Sequence, residues 1–159
     1  MKSWLADAAA TEDLGRDLIN RLLPGANATE PLPGPATLPV LLLRGALGAG
    51  KTCLTRGLAR GLGIEEPITS PTFALAQHYS GWRHGTETAL VHLDLYRLEQ
   101  PAAADELFLQ EQEQAEERGA LLVVEWPERL SFTPPGSWTV QLEIVAEGRL
   151  ARLSAATAP

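Results

Sequence analysis

Gly45-Ala46-Leu47-Gly48-Ala49-Gly50-Lys51-Thr52 fits the pattern G-x-x-x-x-G-K-[ST] at every required position. Upstream, residues 40–43 (Val-Leu-Leu-Leu) form an apolar run with the length and content of a strand. Downstream, Leu54, Leu58 and Leu62 recur every four residues and mark one face of a helix. Strand, glycine-rich turn and helix together are the setting in which this pattern cradles phosphate. Gly45, Gly48 and Gly50 lack Cβ atoms, so the backbone can curl through positive φ around an anion. The N–H groups along Leu47, Gly48, Ala49 and Gly50, and on to Cys53, then form an anion nest at the N-terminus of the helix. Lys51 reaches the β- and γ-phosphates of a nucleotide, and the Thr52 hydroxyl can ligate Mg²⁺.

The chain has 159 residues, which predicts one domain with a normal core spanning residues 1–159. Its net charge is −7, and its cations are Lys2, Lys51 and eleven arginines. An acidic chain is a poor candidate for binding nucleic acid by itself, which normally needs a basic footprint. The single cysteine, Cys53, excludes an intrachain disulfide and suits a reducing compartment. No stretch is apolar for the roughly 18 residues of a membrane span. Asp7, Glu12 and Asp13 stand where a signal peptide would be basic and apolar. The expected location is therefore the cytoplasm, with no membrane partner.

Leu14, Leu18, Ile19, Leu22 and Leu23 give an apolar face over residues 11–23, a short helix for which Thr11 is a candidate N-cap. Pro24 stops it, and residues 24–39 form a Pro-rich internal loop. Strands are predicted at 74–79 and 89–95, separated by a polar, turn-like stretch at 81–88. Pro101 opens a helix to Arg118, which Gly119 closes. Residues 121–124 are continuously apolar, as in a central strand buried on both faces. Alternation at Val140, Leu142 and Ile144, a Glu147-Gly148 turn and residues 150–154 predict an antiparallel hairpin at the sheet edge. The fold class is α/β, a P-loop NTPase-like three-layer arrangement. Its central sheet is mainly parallel, with an antiparallel C-terminal hairpin edge.

Two acids fall at strand ends. Leu-Leu-Val-Val-Glu places Glu125, and Val-His-Leu-Asp places Asp94, where α/β sheets gather ligands. Either can hold Mg²⁺ while the other positions an attacking water. Together with Lys51 they are the candidate catalytic residues, and with Thr52 the candidate metal ligands. Thr69-Ser70-Pro71-Thr72-Phe73 occupies the position of a γ-phosphate-sensing loop, with Ser70 and Thr72 as its hydroxyls. Trp126 and Tyr96 are candidates for aromatic contact with a base or a partner, although packing is the commoner use. His78, His84 and His92 show no zinc-like spacing. No second catalytic cation stands out beyond Lys51.

Residues 43–52, Ser-Pro-Thr-Phe at 70–73, His-Leu-Asp-Leu-Tyr-Arg-Leu at 92–98 and Val-Glu-Trp-Pro-Glu at 124–128 together resemble the TsaE (YjeE) family. These are small bacterial ATPases needed for threonylcarbamoyladenosine in tRNA. Thr11-x-x-x-Gly15 and the tail Glu-Gly-Arg-Leu-Ala-Arg-Leu-Ser at 147–154 are also similar, so the likeness spans nearly the whole chain. The resemblance implies ATP and Mg²⁺ as cofactors, with nucleotide contacts that include Thr11. It implies Mg²⁺ and catalytic roles at Asp94 and Glu125, and a switch loop at Ser70 and Thr72. It also implies TsaB and TsaD as partners, with tRNA reached only through them. Ala46 stands where the family usually has Asp, Cys53 where it has a second Thr, and the Pro-rich loop is longer than usual.

The reading is a P-loop ATPase that supports the TsaB–TsaD complex in N6-threonylcarbamoyladenosine (t6A) modification of tRNA position 37. The alternatives are a nucleotide-dependent interaction protein without turnover and a small P-loop kinase. An arginine-rich substrate lid is not evident, which weighs against the kinase. No guanine-specifying Asn-Lys-x-Asp motif occurs, which favours ATP.

Overall fold

The computed structural model describes residues 1–23, 38–70 and 75–155. Thr72, Phe73 and most of the Pro-rich loop lie outside these described residues. Seven strands form one sheet: β1 (Lys2–Leu5), β2 (Val40–Arg44), β3 (Ala76–Arg83), β4 (Thr86–Asp94), β5 (Leu121–Glu125), β6 (Trp138–Val145) and β7 (Gly148–Ala155). Their order is β1-β7-β6-β2-β5-β4-β3. The four central strands, β6, β2, β5 and β4, run parallel. Helices α1 (Ala8–Leu22) and α2 (Lys51–Gly61) cover one face, and α3 (Pro101–Arg118) covers the other. This is the expected three-layer α/β fold. No helix among the described residues is long and apolar enough to cross a membrane.

The central strands follow from their sequence. Every residue of β5 is buried, as are Val40 to Leu43 of β2, because helices lie on both faces. Leu41, Leu43, Leu121 and Val123 pack beneath α1 and α2, whereas Leu42, Leu122 and Val124 pack on α3 around Phe108. The β6–β7 hairpin turns at 146–147, one residue before the expected Glu147-Gly148 turn, and is in register from Trp138↔Ala155 to Val145↔Gly148.

Three local features differ from the sequence expectation. First, α1 begins at Ala8, with Asp7 as its N-cap accepting from the Ala10 N–H at 2.8 Å. Thr11 is therefore inside the helix, and its hydroxyl donates to the Asp7 carbonyl at 3.2 Å. Asp7 is the better cap because its carboxylate also answers the helix dipole. Second, the polar 81–88 stretch is no open loop. It belongs to an antiparallel β3–β4 hairpin that turns at His84-Gly85, where both residues have positive φ (51° and 76°). Ladder bonds override the weak strand propensity of these residues at an exposed edge. Third, β1 pairs with β7 from Lys2↔Arg152 to Leu5↔Arg149, a four-residue strand whose partner lies at the far end of the chain.

Helices α1 and α2 pack backbone to backbone, and glycine makes this possible. A Cβ at Gly57 would strike the Glu12 carbonyl, and one at Gly15 would strike the Leu54 carbonyl. The Arg60–Glu12 ion pair and the Cys53 thiol, which donates to the Ala8 carbonyl at 3.2 Å, tie the same two helices. This crossing sets the start of α1 beside the glycine-rich loop. Gly57→Ala forces the helices apart and is expected to cost about 1–3 kcal/mol, the usual range for overpacking. Urea denaturation measures this, and an unchanged midpoint would refute the close approach.

Candidate functional site

The loop between β2 and α2 turns on Gly50, the N-cap of α2, at φ 108°. No side chain caps the helix, and its first intrahelical donor is the Leu54 N–H, bonded to the Gly50 carbonyl at 2.9 Å. The N–H groups of Lys51, Thr52 and Cys53 therefore precede the helical ladder and have no acceptor within it. With the partial positive charge of the helix end, they favour an anion. Gly48 lies on the same loop, and Ala49 is buried beneath it with its N–H on the Ala46 carbonyl at 3.1 Å.

Lys51 is held back against its own loop. Its Nζ donates to the carbonyls of Gly45 at 2.5 Å and Ala46 at 2.9 Å, and lies 4.5 Å from the centre of the Trp126 ring. Burial pushes the Lys51 ammonium below its ordinary pKa, while Glu125, Asp94 and Glu128 pull it back up. The lysine is thus surrounded by groups that a phosphate can replace.

The parallel register brings the two acids level. Asp94 pairs with Glu125, and Leu43, the penultimate residue of β2, also pairs with Glu125. A cleft of about 310 Å³ is lined by Leu47, Gly48 and residues 50–53 together with Ser70, Asp94, Glu125 and Trp126. The structure therefore unites Lys51, Thr52, Asp94, Glu125 and Ser70. Thr72 lies outside the described residues. Asp94 Oδ1 accepts from the Tyr96 N–H at 2.9 Å. Burial raises the Asp94 carboxyl above its ordinary value, with Glu125 acting in the same direction and the Tyr96 bond, His92 and Lys51 opposing. Glu125 is buried, and its Oε2 lies 2.7 Å from His92 Nε2.

Trp126 has φ 58° and ψ 49°, the left-handed conformation that bulky residues rarely adopt. The strain turns the chain out of β5 and lays the indole over Lys51, 4.8 Å from the Tyr96 ring. Leu47, Tyr96 and Trp126 also line a neighbouring hollow of about 200 Å³ with Ser70 and Arg97.

A further cavity, of about 210 Å³, opens on the other side of the loop between Asp7, Thr11, Gly48, Gly50, Cys53 and Arg149. Thr11, the most distant of the sequence candidates, is here beside Gly50. Burial pushes the Cys53 thiol up, with Glu12 as the next cause.

Two residues went unnoticed in the sequence. Lys51 is not the only cation at the loop: the Arg149 guanidinium donates to the Gly48 carbonyl at 3.2 Å. It arrives from the β6–β7 turn, about 100 residues away in the chain. The sequence speaks only against His92 as a zinc ligand, and its contact with Glu125 joins the neighbouring strands β4 and β5. Its period-two spacing from Asp94 was the one available signal, since it places both on the same face.

A parallel sheet whose central strand runs through a glycine-rich loop into a helix, with acids at the neighbouring strand ends, defines a P-loop-like α/β protein. A family model described as "Threonylcarbamoyl adenosine biosynthesis protein TsaE" matches residues 5–152, and the chain belongs to that family. TsaE of Treponema pallidum is 44% identical over 110 residues, 69% of this chain and 76% of that protein. TsaE of Nostoc is 40% identical over 148 residues, 92% and 80% respectively. The crystal structure of Bacillus subtilis YdiB superposes with a TM-score of 0.59 at 26% identity, covering 98% of this chain and 84% of that one. The family role is in threonylcarbamoyladenosine biosynthesis for tRNA.

The raised Asp94 carboxyl has a consequence for stability. It binds its proton more tightly folded than unfolded, so stability falls as pH rises through the window between the two values. Asp94→Asn keeps the acceptor for Tyr96 and removes the charge. It is expected to melt at a higher temperature than wild type at neutral pH, with the gain shrinking as pH falls through that window and gone once Asp94 is protonated in both states, below about pH 4. Paired thermal melts across this range check it, and equal melting temperatures at pH 7 would show that the carboxylate carries no burial penalty.

Proposed function

We propose that the chain binds ATP with Mg²⁺ and hydrolyses it, serving t6A formation at tRNA position 37 through TsaB and TsaD. The observation that carries this reading is the convergence of Lys51, Thr52, Asp94 and Glu125 on one cleft at the N-terminus of α2. The triphosphate would lie in the loop, with Lys51 moved from the Gly45 and Ala46 carbonyls onto the β- and γ-oxygens. The nucleoside would extend into the cavity beside Thr11, Cys53 and Arg149.

The donor set fits Mg²⁺. Among the described residues no three acids, histidines or cysteines cluster as a protein-only metal cage. Mg²⁺ needs none, since it takes one or two carboxylates and completes its shell with phosphate oxygens and water. Thr52 with Asp94 or Glu125 would hold it, and it would neutralise charge on the phosphates. The carboxylate left over would orient the attacking water. Trp126 would give up its place over Lys51 as phosphate arrives, which makes the Trp126–Tyr96 pair the part of the surface most sensitive to nucleotide. That pair, beside exposed Leu47, is the proposed docking surface for TsaB–TsaD.

Lys51→Ala is expected to abolish ATP binding or turnover while the chain stays folded, read by nucleotide titration and circular dichroism. Normal affinity together with normal hydrolysis would overturn the phosphate-loop assignment. Glu125→Gln and Asp94→Asn are each expected to reduce hydrolysis more than binding, with losses of about 10²–10⁴-fold. Wild-type rates in both would leave these carboxylates structural. Turnover alone should be slow and should change when TsaB–TsaD is added, whereas free tRNA leaves it unaltered. Full activity alone, indifferent to the complex, would favour the small-kinase alternative.

A further inference from the structure

His92 is fully buried, and phosphate binding does not require it. It lies on β4 opposite Val123 of β5, two residues before the Asp94–Glu125 pair, so it faces the same side of the sheet as both acids. Leu90 and Leu121 are apolar neighbours on that face, and Gln77 of β3 stands opposite His92. A leucine or valine would fill this place without burying a polar ring. Instead the imidazole makes one hydrogen bond, from Nε2 to Glu125 Oε2 at 2.7 Å. Its Nδ1 is buried with no hydrogen-bond partner among the described residues. Leaving a buried nitrogen unpaired is unfavourable. Among the described residues the Glu125 contact is therefore the one hydrogen bond that favours histidine here.

The geometry points to His92 as the positioning residue of Glu125, an assignment that rests on the ATPase reading and deepens it. An ionised carboxylate only accepts, so the bonded Nε2 carries the proton and donates. Gripping Oε2 from beneath the cleft takes that oxygen out of play and fixes the carboxylate plane. The second oxygen is then presented to the cleft that Glu125 lines, in one orientation, to meet Mg²⁺ or the attacking water. A short, buried, single-ended grip of this kind is how an outer partner aligns an inner ligand. Asp94 needs no such help, because the Tyr96 N–H already holds its Oδ1.

The test uses the whole chain with three variants. His92→Leu keeps the apolar packing and removes the donor. His92→Gln places an amide N–H near the Nε2 position. Glu125→Gln/His92→Leu shows whether His92 acts through Glu125. Four quantities are measured: ATP turnover, affinity for a fluorescent ADP analogue in EDTA, the gain in that affinity on adding Mg²⁺, and melting temperature. His92→Leu is expected to lower turnover by about 10–100-fold, the usual loss for an outer partner. Its EDTA affinity should stay within about twofold of wild type, as for a group that does not bind the ground state. His92→Gln should recover a large part of the loss. The double variant should be no slower than Glu125→Gln alone, because coupled residues are not additive. Wild-type turnover with a wild-type Mg²⁺ gain in His92→Leu would overturn the assignment. So would a glutamine variant as slow as the leucine one at equal melting temperature, or an additive loss in the double variant. If the leucine variant fails to fold, the glutamine variant decides: turnover well above that of Glu125→Gln supports the grip, and turnover equal to it does not. Failure of the underlying reading looks different, since wild type itself would then turn over ATP no faster than Lys51→Ala.

Discussion

The site depends on the register between the parallel strands β2, β5 and β4. Side chains along a strand alternate faces, so a slip of one residue moves every side chain to the opposite side of the sheet. In the observed register Leu43, Glu125 and Asp94 stand level, with His92 one pleat repeat below. All four face α1 and α2, where the glycine-rich loop begins its helix. Slip β4 by one place and Leu93 or Leu95 would take the place of Asp94 beside Glu125. The register is held by burial: leucine and valine fill both faces of β2 and β5, and each face has its own helical cover. Hydrophobic packing with no chemistry of its own therefore determines where the charged groups stand.

That arrangement has a cost. Lys51, Glu125 and His92 are all buried, and burial shifts both Lys51 and Asp94 towards their neutral forms. Trp126 adds a left-handed backbone. Strain and desolvation are concentrated in one place on an otherwise regular sheet, a combination enriched at functional sites. The contacts of Lys51 are local ones. Lys51 uses backbone carbonyls of its own loop, and Trp126 covers its charge. These are interactions an anion can replace with stronger ones.

The departures from the family pattern fit this frame. Cys53, where a second hydroxyl is usual, turns its thiol to the Ala8 carbonyl and joins the helix crossing. Its backbone N–H still faces the helix entrance. Ala46 is exposed, and its carbonyl serves Lys51. The β6–β7 hairpin, legible as a hairpin but flanked at the sheet edge by β1, also delivers Arg149 to the loop.

Much of the fold was legible because its signals are local. The phosphate-loop pattern, the every-fourth leucines of α2, Pro101 and Gly119 bounding α3, and the apolar run of β5 each lie within a few residues of one another. So do Asp94 and Glu125, readable as acids at strand ends. The start of α1, the β3–β4 hairpin and β1 were not legible. Asp7 outcompetes Thr11 only once β1 has fixed where the chain enters the helix. The polar residues of 81–88 become strand only through a ladder that propensity does not encode. β1 exists only because β7 is there to pair with it. The sequence by itself determined the chemistry available at the loop and at the two strand ends. Tertiary structure alone decided that His92 meets Glu125, that Arg149 meets Gly48 and that Trp126 covers Lys51. Each of these contacts joins residues from different elements, and short-range periodicity carries no information about pairing across a sheet.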